Sequence, residues 1–130
     1  MSDINPTKIR NFTDLNAWKE SHKLVLEIYR ATKNFPKEEI FGLSSQIKRA
    51  AISITSNIAE GFGRFSKKEQ IQFFYISLGS LVETQNQLII AKDVGYLSEK
   101  DYNSIYEQTI NSQKIINGLI RFNKTILIKE

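Results

Sequence analysis

Apolar residues recur along this chain at intervals of three and four, the spacing that lays one stripe down the side of a helix. Leu15, Trp18, His22, Val25, Tyr29 and Thr32 form the first such row. It predicts a helix capped at Thr13 or Asp14 and ended by Asn34-Phe35-Pro36. Leu43, Ile47, Ala50, Ile54 and Ile58 form a second row, from near Ser44 to about Gly61, where Gly61-Phe62-Gly63 can take the positive φ angles of a C-cap. A third helix opens at Ser66-Lys67-Lys68-Glu69, the spacing of a capping box. It continues through Ile71, Phe74, Leu78, Leu81 and Leu88 to Gly95. The fourth starts at Ser98-Glu99-Lys100-Asp101, with Leu97 and Tyr102 placed as a hydrophobic staple, and extends to roughly Asn123. Gly118 inside it costs about 1 kcal/mol relative to alanine, which anticipates close packing there. Alternation typical of strands is not sustained anywhere. Short connections make consecutive helices antiparallel, so the pattern predicts an all-α, up-down-up-down four-helix bundle over residues 13–125. Residues 1–12 read as a mobile leader and 126–130 as a C-terminal tail.

The second helix carries a polar row beside its apolar one: Gln46, Arg49, Ser53, Asn57, Glu60 and Arg64. These are short or forked groups, and such groups need partners when they leave water. Gln46, Ser53, Asn57 and Glu60, with Glu83 from the third helix, read as a structural polar network locking helices two and three. Glu60 is expected to pair with Arg49 or Arg64. There is also more apolar surface than one bundle uses. Phe73-Phe74-Tyr75-Ile76 covers over half of its helix, and helix four has an Ile105, Ile116, Leu119 row and an Ile110, Ile120 row. Contiguous apolar faces of that size are seldom left in water, so self-association is expected.

Composition narrows the chemistry. The 130 residues are 41% hydrophobic and 25% charged, ordinary values for one folded domain. The absence of cysteine removes every sulfur-bound zinc site, and with one histidine, His22, a histidine-based metal site or triad is hard to assemble. No glutamate stands three positions before His22, so the Glu-x-x-His pair of a di-metal bundle is missing too. His22 lies on the core stripe and reads as an interior or interface residue. Glu60 and Glu83 lack an accompanying nucleophile. We therefore expect no catalytic residue, no metal, no cofactor and no small-molecule substrate: the chain is not expected to be an enzyme. No apolar run reaches the roughly 18 residues of a spanning helix and the N-terminus lacks a signal-peptide centre, so no membrane association and a cytoplasmic location are expected.

The formal net charge is +4, from 18 basic and 14 acidic residues. Lys48, Arg49, Arg64, Lys67 and Lys68 gather around the second helix and the following turn, interleaved with Phe62 and Phe65. They are the candidate nucleic-acid-binding residues, since cations hold phosphates and aromatic faces stack on unpaired bases. The opposing reading is a solvated face with both phenylalanines in the core. In that case the chain is a protein-interaction scaffold that docks a partner on an apolar helix face.

The residues now assembled resemble a known family of bacterial four-helix-bundle proteins, the 23S rRNA intervening-sequence proteins. The resemblance runs from Asp14-Leu15-Asn16-Ala17-Trp18-Lys19 through Tyr29, Phe35-Pro36-Lys37-Glu38-Glu39, Gly42-Leu43 and Gln46-Ile47-Lys48-Arg49-Ala50-Ala51. It continues through Ser53-Ile54, Ser56-Asn57-Ile58-Ala59-Glu60-Gly61, Lys68-Glu69, Phe73, Gly79-Ser80-Leu81, Glu83 and Ala91. The resemblance implies a helical bundle without enzymatic activity that assembles into ring-like homopentamers. The chain is also similar to accessory proteins of diversity-generating retroelements, which implies an RNA or a reverse-transcriptase-like protein as partner.

Overall fold

Four amphipathic segments with apolar faces have one economical way to leave water, which is to turn those faces toward a common axis. The computed structural model describes residues 9–129. A 3-10 turn at Phe12–Asp14 leads into α1 (Asn16–Thr32), and a second at Lys37–Glu39 precedes α2 (Leu43–Phe62), α3 (Lys67–Asp93) and α4 (Glu99–Lys129). The described residues contain no strand. Each helix packs on its neighbours in sequence, and α4 closes back on α1. Ser53 meets Ser80 at 2.7 Å and the Ser77 hydroxyl donates to the Ile54 carbonyl at 2.8 Å. Gln85 donates to Thr109 at 3.0 Å and Asn123 to Gln70 at 2.9 Å. Residue numbers climb on one helix as they fall on its neighbour, so α2 and α3, and α3 and α4, run in opposite directions. Leu24, Ile28, Ile47, Ile54, Ile58, Phe74, Leu81, Leu88 and Ile116 form the solvent-free centre. Each such side chain contributes about 1.5–3 kcal/mol through burial. No helix among the described residues is long and apolar enough to cross a membrane.

The helices depart from expectation in four places. Thr13 and Asp14 do not cap α1: the Asp14 carboxylate points backward, accepting from the Arg10 and Asn11 amides, and Asn11 caps the 3-10 turn. The α-helix proper starts two residues later behind Leu15, which has no side-chain cap bond. Gly61 and Gly63 do not end α2 through positive φ. Among the described residues only Gly95 has positive φ, at 87°, where it closes α3 with Tyr96 N–H on the Ala91 carbonyl and Gly95 N–H on that of Lys92. Gly61 is needed for space: a Cβ there would lie 2.8 Å from the Phe74 ring and 2.9 Å from the Phe73 Cβ. Gly118 shows the reverse. The nearest atom to an added Cβ is the guanidinium of Arg121, one turn on in its own helix, at 3.8 Å, so no close neighbour explains it.

The fourth departure is length. α4 runs to Lys129, well past Asn123, so residues 126–129 are helix and not a tail. At the other end, residues 1–8 of the expected leader lie outside the described residues. Ile9 packs on the core and Phe12 meets the Trp18 ring edge-on at 5.6 Å, which makes residues 9–12 part of the fold. His22 is half-buried, its ring stacked on Trp18 at 4.5 Å. The caps of α3 and α4 match their sequence signals: Glu69 N–H donates to the Ser66 hydroxyl and Asp101 N–H to that of Ser98, both at 3.1 Å.

Candidate nucleic-acid interface

A helix rises 1.5 Å per residue, which places Arg49 about 20 Å from the end of α2 at Phe62, just before Arg64. The five candidate cations therefore form two groups at opposite ends of that helix. Lys48 and Arg49 lie near its start, with Lys48 Nζ 5.3 Å from the centre of the Tyr29 ring. Arg49 is exposed beside a shallow groove lined by Tyr29, Ile40, Phe41, Ser45, Lys48 and Ile52.

Arg64, Lys67 and Lys68 surround the short turn from α2 to α3. Phe62 packs against the core, whereas Phe65, at the middle of the turn, is fully exposed. Arg64 donates to Glu60 at 2.8 Å and lies 4.7 Å over the Phe73 ring. A solvent-exposed pair at this i,i+4 spacing contributes only about 0.3–0.5 kcal/mol, so Glu60 orients the guanidinium without neutralising it strongly. Arg64 Nε is buried and has no hydrogen-bond partner. Lys68 is exposed, and Lys67 reaches Gln70 at 3.3 Å. Gln70, which the sequence pattern did not single out, holds the turn: it donates to the Arg64 carbonyl at 3.0 Å and accepts from Asn123 of α4. Its position one turn after the Ser66 cap was the available signal. The result is a fixed turn that presents three cations and one unpacked aromatic ring.

The expected five-residue polar network is smaller than its sequence pattern. Asn57 donates to the Ser53 carbonyl and hydroxyl at 2.8 and 3.1 Å, and Ser53 meets Ser80 across the α2–α3 seam. Glu60 turns to Arg64 on its own chain segment, and Gln46 and Glu83 are exposed. Their positions on the wheel point them to solvent, while Ser77 and Ser80 are small enough to let the backbones approach and bond. Among the described residues, no group of three or more histidine, cysteine or acidic side chains could hold a metal ion.

Other titratable groups show how the ends of the bundle are held. The Leu43 amide and the Tyr96 hydroxyl both donate to Glu39, at 2.9 Å each. These bonds hold the Glu39 carboxyl below its ordinary range, and the same bond raises the Tyr96 hydroxyl. Glu27, between α1 and α4, is half-buried, and burial pushes its carboxyl up despite the opposing charge of Arg30.

A family model described as 23S rRNA-intervening sequence protein matches residues 13–118. Among solved structures, the chain is similar to a crystal structure of a protein with unknown function from the S23 ribosomal protein family of Bacteroides thetaiotaomicron. The two are 24% identical, the match covers 81% of this chain and 95% of the other, and the TM-score is 0.74, which shows a shared fold. No curated protein matches the chain.

Proposed function

The chain belongs to the 23S rRNA-intervening sequence protein family, and from that premise we propose that it is a non-enzymatic, self-associating cytoplasmic bundle that binds RNA or a ribonucleoprotein through its α2–α3 turn. The observation that carries this reading is Phe65, fully exposed between Arg64 and Lys67 on a turn that Gln70 holds in place. A large aromatic ring in water has no role in the fold, but it is a stacking platform for an unpaired base. The neighbouring cations supply attraction to phosphates. Contacts of this kind fix position with little readout of sequence. Assembly, as a ring of five copies in the family resemblance, would multiply a modest site around one particle.

The test is binding of single-stranded and hairpin RNA by fluorescence anisotropy at two salt concentrations. Three phosphate contacts to a single strand give a log–log salt slope of about −2, or roughly twentyfold weaker binding between about 50 and 200 mM. Changing Arg64, Lys67 and Lys68 to Glu removes binding, and Phe65→Ala weakens it by about tenfold, since stacking contributes about 1–3 kcal/mol per base. Absence of binding at low salt, or unchanged binding by the charge variant, rejects this surface.

The exposed apolar side chains Tyr75, Ile76 and Val82 of α3 support a second reading, a scaffold that docks a partner protein there. Recovery of a stoichiometric protein after nuclease treatment, together with no RNA binding, favours that reading.

A further inference from the structure

From Gln108 to Lys129, α4 carries Lys114, Arg121, Lys124 and Lys129 and no carboxylate. Cations near a helix C-terminus complement its dipole, but that effect fades within the last turn. Arg121 and Lys124 stand eight and five residues before Lys129, so the helix end does not account for them. Both are exposed, and neither they nor Lys68 of α3 pairs with a carboxylate among the described residues.

Packing brings these cations beside the α2–α3 turn. Asn123 is buried and donates to Gln70 at 2.9 Å, and the same Gln70 side chain donates to the Arg64 carbonyl at 3.0 Å. A single side-chain amide therefore ties the turn that carries Phe65 to the residue before Lys124. Lys124 crosses to α3, where its Nζ lies 5.2 Å from the centre of the Tyr75 ring, and Tyr75 is 47% exposed. On α3 itself Lys68, Gln72, Tyr75 and Gly79 follow at i, i+4, i+7 and i+11, which puts them on one stripe, and all four are exposed. At Gly79 nothing lies within 4 Å of where a Cβ would be, so the floor beside Tyr75 is open. Glu83, one turn further on, brings negative charge and bounds the stripe.

Rings, a side-chain amide and unpaired cations on one surface suit a polyanion whose bases are free to stack. We propose that the site at the turn continues as a track for single-stranded RNA: one base stacks on Phe65, a second stacks on Tyr75 over Gly79, and Lys68, Arg121 and Lys124 hold the phosphates. Lys68 and Tyr75 are about 10 Å apart along α3. A stacked strand advances about 3.4 Å per nucleotide and an unstacked one further, so about two or three nucleotide steps cover that distance. A duplex keeps its bases paired and stacked on one another, and only its phosphates reach this surface. The proposal rests on the RNA reading above and adds the class of RNA, unpaired, and a second stacking residue outside the turn.

Fluorescence anisotropy with the full chain tests it, using an unstructured RNA of about six nucleotides and an RNA duplex of about twelve base pairs. The strand binds more tightly than the duplex. Tyr75→Leu, which keeps an apolar side chain, weakens the strand about tenfold, and Tyr75→Phe keeps wild-type affinity. Lys124→Gln and Arg121→Gln each reduce the steepness of the log–log salt slope for the strand by about 0.7, a change that a purely structural role would not produce. Circular dichroism checks that each variant keeps its helices. Strand binding that is lost in the Arg64, Lys67 and Lys68 charge variant but unchanged in Tyr75→Leu and Lys124→Gln confines the site to the turn and overturns the track. Duplex binding as tight as that of the strand overturns the assignment to unpaired RNA. Absence of strand binding by the wild-type chain at low salt overturns both this proposal and the RNA reading. A Tyr75→Leu chain that binds the strand normally but loses a nuclease-resistant protein partner overturns the track in favour of protein docking at Tyr75.

Discussion

Gly61, in the last turn of α2, and Gly118, inside α4, are both helical glycines, and their surroundings give them opposite roles. A methyl at Gly61 enters space held by Phe73 and Phe74, and overpacking of this kind costs about 1–3 kcal/mol. Gly61→Ala is therefore expected to lower the midpoint of urea unfolding. A methyl at Gly118 meets only the mobile end of Arg121, so Gly118→Ala gains helix propensity and raises stability by about 1 kcal/mol in the same measurement. In the sequence Gly118 stood out as an interruption of a helical pattern and Gly61 as part of a helix cap, but which one was crowded was not legible there. That depends on how closely the facing helix approaches. The same holds for the polar row of α2. Ser53 and Asn57 were legible as residues needing partners, while the cross-helix bonds of Ser80 to Ser53 and of Gln70 to Asn123 became visible only when a second helix came within reach.

At the level of elements, Glu39 ties the start of α2 to the connection after α3 through Leu43 N–H and the Tyr96 hydroxyl. A carboxyl held below its ordinary value of 4.5 contributes stability that is present above that pH and is lost as pH falls through the depressed folded value. Tyr96, raised above 10.0, works in the other direction: its contribution is present below that pH and fades as pH rises through the higher folded value. Glu39→Gln is expected to lower the thermal midpoint at pH 7, with the gap to the wild-type chain narrowing as the pH falls below about 4.5; a gap independent of pH would show that the carboxylate charge is not what holds the turn. Element boundaries were legible where a short side chain meets a backbone amide within its own turn, as at Ser66 and Ser98, or where the chain needs a left-handed residue, as at Gly95. They were not legible at the start of α1, where Asp14 bonds backward, or at the end of α4, where helical pairing simply continues.

For the molecule as a whole, the two proposed contacts differ in how salt acts on them. Phosphate binding releases counterions and weakens steeply with ionic strength, whereas self-association through exposed apolar side chains is driven mainly by loss of apolar surface from water. Raising salt from about 50 to 500 mM is expected to release RNA while light scattering still reports the assembly. Simultaneous loss of both would mean that the copies are held together through the nucleic acid.

The order of apolar and polar residues by itself determined four helices, their closure into a bundle and the turn at Ser66, because helical periodicity and capping are local properties of a few adjacent side chains. The family resemblance was equally readable in the line of residues. Tertiary structure alone decided that Phe62 is packed while Phe65 is exposed, and that the apolar side chains Tyr75, Ile76 and Val82 of α3 are left uncovered. Those facts depend on which side of each helix meets its neighbours, and that is set by the packing of all four helices together.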